Sequence, residues 1–327
     1  MKIGLDIMGG DYAPAEAIKG VQQFFEQVPD PSVHLLLIGD TEAAAPYLSL
    51  LETHQHRYTL VEAPQVIGMH EHPTKALKEK PQSSIAVGFG MLQHHKSDAF
   101  ISAGNTGAMM VGAMYSVKTI DGILRPTIAS PVPCLNGKFN LLLDVGINAD
   151  CKPENLVQFA QLGSLYAQRV LGCENPRVAL LNIGEEEGKG NILAQATYPL
   201  LKESTDLNFV GNVEGRDLFM DKAEVIVCEG FVGNVVLKMA ESVHQIFAVQ
   251  RNVQDKFLDV FDYELYGGTP ILGINSPVII GHGISHATAF KNMIDVARRI
   301  ISANLIDAFK QHFSPVKGTE EIEAPTA

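Results

Sequence analysis

Ala99-Phe100-Ile101-Ser102-Ala103-Gly104-Asn105-Thr106-Gly107-Ala108 holds three kinds of local order in one short stretch. The run AFI predicts a short buried strand, the Gly-Asn-Thr-Gly stretch a tight turn, and the following AMMVGAMYSV an apolar helix. A strand that feeds a helix through a glycine turn is half of a crossover unit, and a crossover joins parallel strands.

The same order recurs outward from this stretch. Ile3–Asp11, His34–Asp40, Asn140–Asp150, Arg177–Asn191, Asn208–Gly215, Glu224–Asn234 and Pro277–Gly283 each place a β-branched or leucine-rich run before glycine and small polar residues. Runs such as LLLIG, LLLDVG, VALLNIG and VIIGHG lack the alternation of a half-exposed strand, so they predict strands covered on both faces. The expected fold class is α/β, a doubly wound three-layer α/β/α arrangement around a mostly parallel sheet. Two helical stripes support the outer layers: Ile18, Val21, Phe25 and Val28, with Pro14 suited to the first turn, and Phe290, Met293, Ile294, Ala297, Ile301, Leu305 and Phe309. Residues 243–266 break the rhythm and predict a projecting helical tip or a subunit contact. The expected organisation is a single large domain over 1–313 and a frayed polar tail over 314–327.

Charge limits the partners. A formal net charge of −12 disfavours nonspecific nucleic-acid binding, which needs a basic face. Cys134, Cys151, Cys173 and Cys228 stand singly with no C-x-x-C pair, the pattern of reduced thiols rather than of disulfides or a metal site. No charged leader with an apolar core opens the chain, and no run of about 18 apolar residues appears, so a cytoplasmic location is expected.

In an open parallel sheet ligands bind outside the carboxyl ends of the strands, so the glycine loops are expected to converge on one crevice. In Ser102–Ala108, Gly104 and Gly107 let backbone approach a ligand, and the unpaired amides of a helix beginning favour an anion. Asn105 and Thr106 add donors. The loop lacks G-x-x-x-x-G-K-[ST], so a nucleotide P-loop is not indicated. In NIGEEEGKGN, Lys189 is a mobile point charge for a phosphate oxygen or a developing oxyanion. In CEGFVGN, Asn234 sits just inside a helix start, where its amide can donate to a carbonyl oxygen. The openings Gly9-Gly10-Asp11 and Asp144–Asn148 put carboxylates at strand ends, and His282 in IIGHG is a base or a satisfied turn histidine. Taken singly, each loop also reads as an ordinary capped turn.

As a series, LDIMGGDYAP, SAGNTGAMM, DVGINADC, NPRVALLNIGEEEGKGN, VCEGFVGNVVLK, YGGTPILG and VIIGHG resemble the phosphate acyltransferase family (acyl-ACP:phosphate acyltransferase, PlsX type), in that family's order. The resemblance implies a fold akin to phosphotransacetylase and the isopropylmalate dehydrogenases, and a homodimer. It implies acyl carrier protein (ACP) and inorganic phosphate as partners, with no metal or other cofactor. The acyl phosphate would pass to a membrane glycerol-3-phosphate acyltransferase of phospholipid synthesis. Catalytic roles fall on Lys189 and Asn234, which match GEEEGKGN and GFVGN, and the loops at Ser102–Gly107 and GGD would line the same cleft. The stretch between GNVVLK and YGG is shorter than in many members, whose tip touches the membrane, which leaves peripheral contact at the inner membrane open. The final turn, HGISHATAF, also departs from the usual pattern.

Phosphate is largely dianionic near neutral pH, so the reaction needs positioning and oxyanion stabilisation more than a strong base. The proton for the leaving thiol is left among His282, water and Lys189. An acidic chain needs a local basic patch to dock acidic ACP, and Lys75, Lys78 and Lys80 are the nearest in sequence. Three rivals stand beside this reading. A nicotinamide dehydrogenase lacks its G-x-G-x-x-G here. A non-catalytic acyl-chain or acyl-ACP binding regulator would keep the loops, and a short-chain phosphotransacetylase would differ in pocket size.

Overall fold

The computed structural model describes residues 1–314, so the expected tail beyond Ser314 lies outside the described residues. Eleven strands form one sheet in the order β3-β2-β1-β4-β11-β10-β5-β6-β9-β7-β8. They are β1 Lys2–Asp6, β2 His34–Gly39, β3 Tyr58–Glu62, β4 Ala99–Ser102, β5 Thr127–Pro133 and β6 Phe139–Leu143, then β7 Arg177–Leu181, β8 Asn208–Val213, β9 Val225–Val227, β10 Gly268–Leu272 and β11 Val278–Gly281. Each of the eight segments singled out in the sequence overlaps one of them.

Alternate residues of a strand face opposite sides. Leu35 and Leu37 join one core cluster while Leu36 and Ile38 join the other, and Leu141 and Leu143 divide from Leu142 in the same way. The continuous apolar runs therefore do what two-sided burial requires. On one face lie the helices Ala15–Gln27, Pro153–Arg169 and Ala287–Ser302; on the other lie Ser84–Gln93, Thr106–Gly112 and Gly230–His244. The carboxy-terminal apolar stripe is split rather than continuous: Asn304 adopts a left-handed conformation (φ 49°) and separates Ala287–Ser302 from Leu305–Phe313.

Seven of the ten strand pairings are parallel, so the sheet is mostly parallel as expected. The other three, β11–β10, β10–β5 and β5–β6, are consecutive. An odd number of reversals leaves the two parallel runs pointing in opposite directions. The carboxyl ends of β1, β2, β4 and β11 thus open on one edge, and those of β6, β7, β8 and β9 on the other. The expectation that all eight glycine loops meet at one rim is corrected by this topology, because β5 and β10 were not read as strands.

One helix reconnects the two ends. Gly230–His244 begins at the carboxyl end of β9 and contacts β5 and β6. Glu229 caps it, accepting from Val232 N at 2.9 Å, and Gly230 N donates to Asn148 O at 2.7 Å. The seat is tight: a Cβ on Gly233 would lie 1.8 Å from Asp144 O. Only glycine permits this approach. Residues 245–250 continue the helix, and a turn leads to Lys256–Asp259. Ile246, Phe247, Val249 and Val253 are exposed in this region, whereas Phe261 is buried and meets the ring of Phe219 at 5.4 Å.

Candidate active site

Asn234, Leu237, Lys238 and Glu241 recur at i, i+3, i+4 and i+7 along the helix that Gly233 seats, so they share one face. That face forms a wall of a cavity of about 460 Å³. Ile128, Val132, Val145, Leu237, Phe261 and Ile280 make its lining largely apolar, and Thr106, Asn234, Lys238, Glu241 and His282 supply the polar groups. An apolar pocket with few polar groups is the usual form of a small-ligand site, and it suits a ligand with an apolar tail and a polar head.

At the polar end Lys238 is the fixed cation. Its ammonium donates to Glu241 Oε2 at 2.7 Å and meets His282 Nε2 at 3.2 Å. An ammonium only donates, so Nε2 accepts and the imidazole proton sits on Nδ1. Among the described residues Nδ1 is buried without a partner. Burial first, then the Lys238 charge, pushes the His282 pKa below its ordinary value of 6.5. The unfolded chain therefore binds more protons here below pH 6.5, and this contribution to stability is full above that value and lost as pH falls toward the lower folded pKa. Thermal melts should fall less steeply on the acid side of pH 6.5 in His282→Gln than in the wild type. Parallel curves would contradict this environment for His282.

The Ser102–Gly107 loop is more committed to its own folding than its sequence suggested. Ser102 Oγ donates to Asp6 Oδ2 at 2.6 Å and accepts from Gly104 N at 2.9 Å, so the Gly104 amide is occupied. Asn105 caps the helix, accepting from Ala108 N at 2.9 Å, while its amide donates to the carbonyls of Gly68, Met69 and Glu71. It straps down the 68–71 loop and has no donor left over. Thr106 is exposed and lines the cavity. Its amide and that of Gly107 open the helix, where no preceding carbonyl can take them.

Gly9, Gly10 and Gly104 line a separate space of about 130 Å³ beside Asp6. Burial raises the Asp6 pKa against the hydrogen bonds from Ser102, Ser84, Met8 and Gly9. A carboxyl group there makes this smaller space a poor seat for a dianion. Asp11 N bonds Gly283 O at 2.7 Å, which fixes the GGD turn against the turn that carries His282.

Asp144 and Asn148 are interior. Asp144 accepts from Ile128 N, Ile147 N, Asn148 N and the Asn148 amide, and that amide also donates to Pro126 O at 2.8 Å. They build the seat of the Asn234 helix and do not line the cavity. Lys189 also lies off the cavity wall. It is exposed, 4.0 Å from Glu186, on a loop held by Lys222–Glu185 and Lys202–Glu187 pairs at 2.6 and 3.0 Å. Asn182 donates to Lys189 O at 3.1 Å, so the loop backbone is anchored while the lysine side chain projects exposed from it. Lys80 is engaged with Glu71 and with Val66 O at 2.7 Å, whereas Lys75, in a long exposed pair with Glu79 at 3.9 Å, and Lys78 are exposed. Burial raises the pKa of all four cysteines, which suits unreactive thiols.

Comparison with known proteins gives the family of the chain. A family described as "Fatty acid synthesis protein" matches residues 1–256 and 249–308. A phosphate acyltransferase of Dictyoglomus thermophilum is 44% identical, covering 93% of this chain and 95% of that protein. One of Desulforamulus reducens is 43% identical over 98% and 100%. The chain belongs to the phosphate acyltransferase family. Solved structures agree on the fold: a phosphotransacetylase from Streptococcus pyogenes aligns with a TM-score of 0.63 at 17% identity, covering 92% of this chain and 94% of that one. A branched-chain phosphotransacylase from Enterococcus faecalis gives 0.61 at 15%, covering 91% and 98%.

Against this phosphate acyltransferase background, Lys238 and Glu241 are the groups that sequence reading missed. The signal was available in GNVVLKMAE, where Asn234 and Lys238 are one helical turn apart.

Proposed function

We propose that this chain transfers a fatty acyl group from acyl carrier protein to inorganic phosphate, giving acyl phosphate and free ACP. The observation that carries this is an apolar cavity that ends at a cation, an unengaged amide and a helix beginning, in a chain of this family. Phosphate rests on the Thr106 and Gly107 amides and the Lys238 ammonium. One of its oxygens attacks the thioester carbon, Asn234 donates to the oxyanion, and collapse breaks the C–S bond. The pantetheine thiolate then takes a proton from the Lys238 ammonium, since the Nδ1 of His282 is buried. Lys189, exposed outside the wall, supplies a second cation as the anion enters.

No metal or nucleotide is needed for these steps. The apolar lining favours a long acyl chain over acetyl, which sets this reading above the short-chain phosphotransacetylase. In the same reading the protein is a cytoplasmic homodimer that hands acyl phosphate to a membrane glycerol-3-phosphate acyltransferase. The exposed Ile246, Phe247, Val249 and Val253 give its tip a means of peripheral membrane contact. No helix of the described residues is long and apolar enough to cross a membrane.

Docking of the acidic carrier rests on Lys75 and Lys78, since Lys80 is engaged. Charge reversal at both should raise the KM for acyl-ACP by about tenfold at low ionic strength, with kcat held and the effect shrinking in salt. An unchanged KM at low salt would remove this patch. The function itself is tested by incubating the protein with long-chain acyl-ACP, with and without phosphate, and trapping product with hydroxylamine. Hydroxamate that depends on phosphate supports transfer. Binding without any phosphate-dependent product supports the non-catalytic regulator instead.

A further inference from the structure

A second cavity of about 200 Å³ lies beside the first, beyond β10 and β5. The two share Pro131, Tyr266 and Gly268 as walls. The reason they meet there lies in the ladder. β5 and β6 pair through Pro133, but β10 and β5 pair only at Ile271–Ile128 and Leu272–Thr127. Beyond that point Pro270 and Pro131 have no N–H to donate, and the β10–β5 ladder stops.

Of the three shared walls, Gly268 has no side chain and Pro131 is part of β5 itself. Tyr266 is the one large side chain on the boundary. Its ring is clamped from two sides: the hydroxyl donates to Val260 O at 2.6 Å, and the ring meets Phe139 edge-on at 6.0 Å. The far cavity is lined by the apolar Leu171, Leu265 and Val296 and also by Asn292, Asp295 and Arg299, of which Asp295 pairs with Arg298 at 2.7 Å and Arg299 donates to Val170 O at 2.9 Å.

We infer that Tyr266 is the stop that sets the longest acyl chain the first cavity accepts. This rests on the acyl-transfer reading above. The ring stands on the wall that the two cavities share, and its removal joins the second cavity to the first. A methylene that gains or loses its place in an apolar pocket changes kcat/KM by about tenfold or more, so a stop of this kind shows as a sharp limit in chain length.

The test measures acyl phosphate formation over a ladder of saturated acyl-ACPs, from medium chains to chains longer than the wild type accepts. In Tyr266→Ala the limit should move to longer chains, with the long-to-medium ratio of kcat/KM rising about tenfold or more. Val296→Phe, which narrows the second cavity, should leave the wild-type limit in place and reverse the gain when added to Tyr266→Ala. Tyr266→Leu carries the same test if the alanine variant melts early. An unmoved limit, a loss equal at every length, or a shortened limit in Val296→Phe alone would overturn the inference. If the wild type makes no acyl phosphate at any length, the acyl-transfer reading itself has failed.

Discussion

Asn234→Ala is expected to lower acyl phosphate formation by about 100- to 1000-fold, the usual cost of removing one oxyanion donor. Its melting temperature should stay close to that of the wild type. The separation follows from position. Asn234 is exposed, and among the described residues no protein group engages its amide, so folding loses nothing when the amide is deleted. Deleting an exposed, unengaged side chain commonly changes stability by no more than about 0.5 kcal/mol. An interaction made only in the transition state lowers kcat and kcat/KM together, and a KM near the wild-type value should accompany the loss. Lys189→Ala should also fold normally and lose turnover, because its side chain makes only a long exposed pair. Near wild-type turnover in either variant would remove that residue from the reaction.

Gly233→Ala is expected to fail in the opposite way, through the fold. The new methyl would meet Asp144 O at 1.8 Å, and Asp144 is itself held by four hydrogen bonds, so neither side yields cheaply. Overpacking of this kind costs about 3 kcal/mol, which lowers Tm by about 5 °C in a chain of this size. Because Gly233 seats the helix one residue before Asn234, activity should fall with stability, and ligand contacts from Lys238 should weaken together with those from Asn234. Gly90→Ala is the control: its methyl would meet nothing within 4 Å inside the Ser84–Gln93 helix, and helix propensity predicts a gain of up to about 1 kcal/mol. A Gly233→Ala protein that melts with the wild type would contradict the close packing of the helix on the Asp144 turn.

What the sequence revealed and withheld has one physical cause. Strands buried on both faces announce themselves as unbroken apolar runs, and β1, β2, β4, β6, β7, β9 and β11 did so. β5, with Pro131 and Pro133, and β10, with Gly268 and Pro270, carry residues that weaken or omit ladder hydrogen bonds, so they read as loops. β3 is a half-exposed edge strand with no such run. Missing β5 and β10 meant missing the reversal of the sheet, and with it the fact that a helix, not a single rim of loops, brings the two ends together.

The site was legible where a side chain's chemistry is local. Asn234, Thr106 and His282 lie on the cavity as their motifs suggested. Asn105, Asp144 and Asn148 were polar residues in promising loops, yet their hydrogen-bonding capacity is spent inside the fold. A sequence states which groups can donate or accept but not which partners reach them first. Lys238 shows the converse: one turn beyond a recognised motif, it becomes significant only once β11 brings His282 beside it.

One cavity is proposed to hold an acyl chain along its apolar wall and an inorganic anion at the Thr106–Lys238 end. A crystal grown in phosphate and soaked with a non-hydrolysable long-chain acyl-pantetheine analogue tests it directly. Density is expected for the chain between Ile128, Leu237 and Phe261, the anion on the Thr106 and Gly107 amides and Lys238, and the acyl carbonyl within hydrogen-bond reach of Asn234. An acyl chain bound elsewhere, or an anion seated beside Asp6 with Asn234 facing solvent, would contradict it.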